Sequence, residues 1–158
     1  MLDTDDAALW YALYRLTTNY WFEVDFKGGG GAHDFYVSDG LFAVGDNRFE
    51  GHEKIRAYYA WRQGRGYTTS RHLVNNLQVF PADEYNVRQI GVLSLYRADG
   101  RPPFHGERPP MLIADIEADC VRGEDKVWRY QSHVLRPVFV GRDIPYSISI
   151  DPQFLAKT

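Results

Sequence analysis

Apolar residues recur at helical spacing near the start of the chain. Leu9, Leu13, Leu16, Tyr20 and Val24 fall three or four residues apart, the mark of one buried helix face. A second stripe, Tyr14, Trp21 and Asp25, runs beside the first. The pattern predicts a helix from about Asp5 to Phe26, with Thr4 and the acids after it suited to its start. Asp25 then falls near the helix C-terminus, where a carboxylate opposes the helix dipole and calls for an explanation. Gly28 to Gly31 break the helix. With no strand before them they make no phosphate-binding fingerprint and read as a turn. Phe35 to Val44 reads as a short strand pair or one bent strand, with Asp39-Gly40 as a turn. The stretch from Phe49 to Ile55 enters a second helix, which runs through Tyr58, Tyr59 and Arg62 to end near Gly64 and Gly66.

Beyond that point long strands dominate. Ser70 to Phe80, Asn86 to Arg97, Met111 to Val121 and Val127 to Val138 read as four of them. Pro81 to Glu84 and Gly123 to Lys126 suit hairpin connections, and the proline-rich stretch Arg101 to Pro110 a longer loop. The tail carries a short apolar run, Ile144 to Ile150, which could add an edge strand or reach a neighbouring subunit. Helices first and consecutive strands afterwards predict an α+β fold. The expected form is a cone-shaped, strongly curved, mostly antiparallel sheet wrapped around the N-terminal helices. The bent sheet leaves a cavity, the usual place for a small-molecule site.

Composition narrows the picture. At 158 residues the chain suits a single domain over 1–158 and can bury a core without disulfides or metal. A net charge of −3 argues against a general nucleic-acid binder. The single cysteine, Cys120, permits no internal disulfide, and the acidic start, Met1 to Asp6, does not look like a signal peptide. Without an apolar run of about 18 residues no membrane span is expected. A cytoplasmic location follows as the expectation. Aromatic residues reach 15%, serving a core, an interface or a pocket wall.

The order of segments resembles the SnoaL-like branch of the nuclear transport factor 2-like superfamily. The resemblance rests on Tyr20 with Val24-Asp25, on Phe35 with Asp39 to Phe42, and on Phe49 to Ile55. It continues through Thr69 to Asn76 and closes on Val127 to Tyr130, covering nearly the whole chain. It implies the cystatin-like cone. Scytalone dehydratase and hexachlorocyclohexane dehydrochlorinase carry an Asp on the first helix and a His on the first long strand, where this chain has Asp25 and His72. By spacing, His133 is similar to a basic pocket residue of the dehydrochlorinase. Two departures stand out: Leu93 replaces a second His of the dehydratase, and Tyr20 replaces a Lys of the dehydrochlorinase. Arg71 to Asn76 and the segment from Leu95 to Arg108 also resemble the β subunit of aromatic ring-hydroxylating dioxygenases, which is largely structural.

His72 can take a proton near neutral pH, or be a buried structural histidine. Strand alternation puts it on one face with Ser70, Val74 and Asn76. Asp25 would fix its tautomer, or sit solvated beside Lys27. His133 would stabilise a substrate oxygen or leaving group if it faces the pocket, or lie at a surface or interface. Tyr20, Trp21 and Asn76 complete the substrate-binding candidates. Asp115, Glu117 and Asp119 alternate with apolar residues and read as a solvated or subunit-facing surface. The histidines at 33, 52 and 105 lack metal-site spacing, so no metal and no cofactor are expected. The resulting expectation is a small-molecule pocket protein, a cofactor-independent lyase or isomerase whose Asp-His dyad abstracts a proton from a small cyclic or aromatic-like substrate. A homodimer or homotrimer is expected. The alternative is a non-catalytic subunit or binding module resembling a dioxygenase β subunit.

Overall fold

The computed structural model describes residues 4–142. Helix α1 (Thr4–Lys27) leads through a 3-10 turn (Ala32–Phe35) into β1 (Tyr36–Val44) and β2 (Asn47–Glu50). Helix α2 (Gly51–Gln63) follows, then β3 (Thr68–Pro81), β4 (Asn86–Asp99), β5 (Leu112–Arg122) and β6 (Trp128–Val140). The strands form one sheet in the order β2-β1-β6-β5-β4-β3. Neighbours are antiparallel except β1 and β6, which run parallel. This is the α+β architecture expected, with one parallel ladder that pairs distant parts of the chain. No helix among the described residues is long and apolar enough to cross a membrane.

The core lies between the helices and the inward sheet face. Leu13, Tyr20 and Val24 come from α1, Ile55 and Tyr59 from α2, and Leu93, Leu112, Ile116 and Leu135 from the sheet. Fully burying a side chain of this kind is worth about 1.5–3 kcal/mol. On β5 the alternation holds: Leu112, Ala114, Ile116, Ala118 and Cys120 are buried, while Asp115 and Asp119 are exposed. The outward Glu117 accepts a bond from Arg136 at 2.9 Å. A buried polar chain ties α1 to the sheet. Tyr130 donates to Thr17 (3.0 Å), Thr17 lies 3.1 Å from Gln89 Oε1, and Gln89 donates to the Leu13 carbonyl (3.2 Å).

Three local features differ from simple periodicity. Asp39-Gly40 is not a turn. β1 is one strand whose pairing with β6 is irregular between Tyr36 and Leu41. A Cβ on Gly40 would stand 2.9 Å from the Tyr130 carbonyl oxygen, so the close strand approach there admits only glycine. β6 carries a bulge: Asp119 opposes Ser132 and Cys120 opposes Tyr130, leaving Gln131 as the extra residue. β3 carries another between Asn75 and Gln78. The short β2 buries only Phe49, between the exposed Arg48 and Glu50. The apolar run Ile144 to Ile150 lies outside the described residues.

Candidate functional site

Trp21 and Asp25 stand one turn apart on α1, and Ser70 and His72 stand two residues apart on β3. Helical and strand periods therefore aim both pairs into the contact between these elements. Asp25 Oδ1 lies 2.6 Å from His72 Nδ1. The Ser70 hydroxyl donates to the same oxygen at 2.7 Å, and the His72 backbone N–H donates to Oδ2 at 2.7 Å. Three donors thus surround a carboxylate that the helix dipole alone would disfavour. Both side chains, Asp25 and His72, are only 5% exposed.

The protonation states follow from this setting. Burial alone would push the Asp25 carboxyl up, but the bonds and charge of His72, with the Ser70 hydroxyl, hold it below its ordinary range. Burial also drives the His72 ring down. The Asp25 contact opposes that, Arg62 and Arg97 add to it, and the net shift is downward. At neutral pH the pair is therefore an ionised Asp25 and a neutral His72. Nδ1 then carries the proton donated to Asp25, which leaves Nε2 as the basic atom of the ring.

Trp21 stacks on the His72 ring, with centroids 4.1 Å apart and planes 14° apart. That contact fixes the ring plane that the carboxylate orients from its edge. His72 and Trp21 line a narrow internal cavity with Phe42, Tyr58, Tyr59, Arg62, Leu93 and Arg97. Its volume of about 20 Å³ holds roughly one water molecule. Among the described residues no group of three His, Cys, Asp or Glu could hold a metal.

The other sequence candidates fall elsewhere. His133 is fully buried behind Trp21, its ring centroid 5.5 Å from the indole. Tyr130 and His133 stand three residues apart, a spacing that strict strand alternation would send to opposite faces. The Gln131 bulge turns both inward, and their rings stack at 4.4 Å. His133 Nδ1 bonds the Tyr36 hydroxyl at 3.0 Å, while its buried Nε2 has no hydrogen-bond partner among the described residues. Burial, with a smaller effect of His72, pushes its pKa down to about 3. It is a neutral core histidine rather than a surface one. Tyr20 is also fully buried, and its hydroxyl bonds that of Tyr59 rather than sitting beside Asp25 and His72. Asn76 is exposed, and its positive φ of 54° belongs to the β3 bulge. The extra residue breaks the alternation that would have carried it to the His72 face.

Ser70, Arg62 and Arg97 join the site without having been candidates. For Arg97 a signal exists: Leu93, Leu95 and Arg97 alternate along one strand face, so an arginine ends an inward apolar row. Leu93, where the dehydratase carries its second His, is a fully buried part of the cavity wall.

No protein-family profile and no curated protein matches this chain. Solved structures do match. A protein provisionally named scytalone dehydratase, from Novosphingobium aromaticivorans, superposes with a TM-score of 0.71 at 16% identity, over 87% of this chain and 89% of that one. Aln2 from a Streptomyces species gives 0.70 at 18% identity, over 87% and 93%. A Nostoc punctiforme protein of unknown function with a cystatin-like fold gives 0.68 at 12% identity, over 91% and 97%. The expected cystatin-like fold is therefore the fold of this chain. Identities this low speak to fold and not to activity.

Proposed function

We propose that the chain is a cofactor-independent lyase or isomerase acting on a small substrate through its Asp25-His72 dyad. One observation carries the reading: a buried carboxylate 2.6 Å from the Nδ1 of a histidine that lines a cavity. Neutral His72 takes a proton from carbon at Nε2. The imidazolium so formed keeps its Nδ1–H on Asp25, which stabilises the new charge without being protonated. The Trp21 face against the ring favours the same cation. The electron pair left on carbon then expels a leaving group or shifts a double bond. In the elimination the leaving group departs with its bonding pair and takes up the proton from the imidazolium; in the isomerisation the imidazolium returns its proton to the far carbon, and either way His72 ends neutral. Trp21 restricts the motion of the base, so a proton donor held at hydrogen-bond reach meets it in one geometry.

General base catalysis is typically worth about 10²–10⁴-fold. His72→Ala should therefore lower kcat by at least about 10²-fold on any substrate found in a panel of dehydration, elimination and isomerisation reactions, with the far-UV spectrum unchanged. Full activity in that variant would sink the reading.

The narrow cavity supports a second reading, a non-catalytic assembly partner. Exposed Tyr11, Phe22 and Phe26 on α1 would suit a protein contact. Co-purification with a larger iron–sulfur protein, and no turnover across the panel, would favour it.

A further inference from the structure

Two cations beside a histidine base are an unusual choice. Arg97 reaches the cavity from β4 with its side chain only 5% exposed, its Nη2 3.6 Å from the exposed Asp99 carboxylate. Arg62 reaches it from α2, its guanidinium 5.7 Å from the centroid of the Tyr59 ring. Among the described lining residues there is no carboxylate. Trp21 adds a buried indole Nε1 with no hydrogen-bond partner among the described residues, and an indole nitrogen can only donate. The wall is thus rich in donors and positive charge on an otherwise apolar surface.

That arrangement works against a base acting on a neutral molecule. Both arginines disfavour the imidazolium that proton abstraction must create. A bound anion cancels the effect, and the negative charge that develops on it meets fixed donors in a low-dielectric site. The geometry points to an organic anion as substrate, a carboxylate or an ionised enol or phenol, whose oxygen is held by Arg62 and Arg97 with its neighbouring carbon towards His72. The assignment of that carbon rests on the lyase or isomerase reading; the binding of the anion does not.

Arg62 also explains access. It borders both the internal cavity and an open cleft lined by Asp25, Gln63, Tyr67 and Ser70. A cavity of about 20 Å³ cannot admit a substrate as it stands. Swinging one long, flexible side chain off the Tyr59 ring joins cavity and cleft. The same guanidinium that blocks the passage then binds the anion that displaces it.

The test compares benzoate with its neutral isostere benzamide, at constant ionic strength, on the full chain. Binding is followed by NMR at the Trp21 indole N–H and the His72 ring. Benzoate should bind at least about tenfold more tightly than benzamide, the scale of a charge-assisted hydrogen bond. It should also raise the His72 pKa. Arg62→Gln and Arg97→Gln should each weaken benzoate by about tenfold or more, leave benzamide unchanged, and recover in part on substitution by Lys. Equal affinity for the two probes, no benzoate binding at tens of millimolar, or full affinity in folded Arg62→Gln would each overturn the proposal. Benzoate binding that survives in His72→Ala, with no turnover of any panel substrate by the wild-type chain, would keep the anion site and discard the lyase reading.

Discussion

A carboxylate near the C-terminal end of a helix and a histidine on a strand are each commonplace. Their meaning comes from the three hydrogen bonds that converge on Asp25 and from the burial of both side chains. In Asp25→Asn the pKa of His72 should fall further, because the charge that favours imidazolium is gone while burial and the arginines remain. An NMR titration of the ring in both proteins measures it without any substrate. An unmoved pKa would uncouple the two residues and remove the basis for the proposed base. The same setting fixes the pH profile. As the proposed base His72 must be neutral, and its pKa lies below the ordinary 6.5. Turnover, measured as kcat/KM, should therefore be flat through neutral pH. It should drop only on the acid side of 6.5, tenfold per pH unit once below the His72 pKa.

At the scale of elements, turns and bulges decide what reaches the interior. The four glycines after α1 read as a mere break, yet Gly29 has φ +81° and its missing Cβ would lie 2.4 Å from Cδ1 of Tyr59. Close packing of the turn on α2 thus sets the position of a ring in the cavity wall. Gly29→Ala must both adopt a left-handed backbone and displace that ring. A loss of about 2–4 kcal/mol in a urea titration is expected. A stability within about 0.5 kcal/mol of wild type would show that the turn shifts freely. The Gln131 bulge acts in the same way on β6. Without the extra residue, strict alternation would send either Tyr130 or His133 to the outer face.

Across the whole molecule, the buried histidines link stability to pH. His133 titrates near 6.5 when unfolded but is pushed down to about 3 in the fold. Between those values the unfolded chain binds the extra proton, so stability is full above about 6.5 and declines as pH falls towards 3. The slope in that window is about 1.4 kcal/mol per pH unit for one fully buried group, and His72, also lowered, acts in the same direction. Urea titrations at pH 7 and pH 5 should show this loss. His133→Phe, which removes one titration, should show a shallower one. An equal slope in the variant would mean that His133 is not protonated on unfolding.

Much of the fold was readable from local pattern. The helical period runs through α1 and the twofold period through β3 to β6, since each element buries one face and the spacing of apolar residues records which. The acidic outer face of β5 was legible for the same reason, whereas Asp25 and His72 were paired as candidates by the resemblance of segment order. What local pattern could not hold was anything that depends on one extra residue or on a distant neighbour. A bulge resets the inward face at Asn76, so alternation misplaced it, and another turns both Tyr130 and His133 inward. The Tyr20 hydroxyl met Tyr59 because the fold brings these side chains from α1 and α2 together in the core, 39 residues apart in sequence. Arg62 and Arg97 became one site only when α2 and β4 closed on the same cavity. Periodicity is a property of neighbouring residues and their own sterics. The composition of a cavity wall is decided by strand register and helix packing, which only the folded chain brings into being.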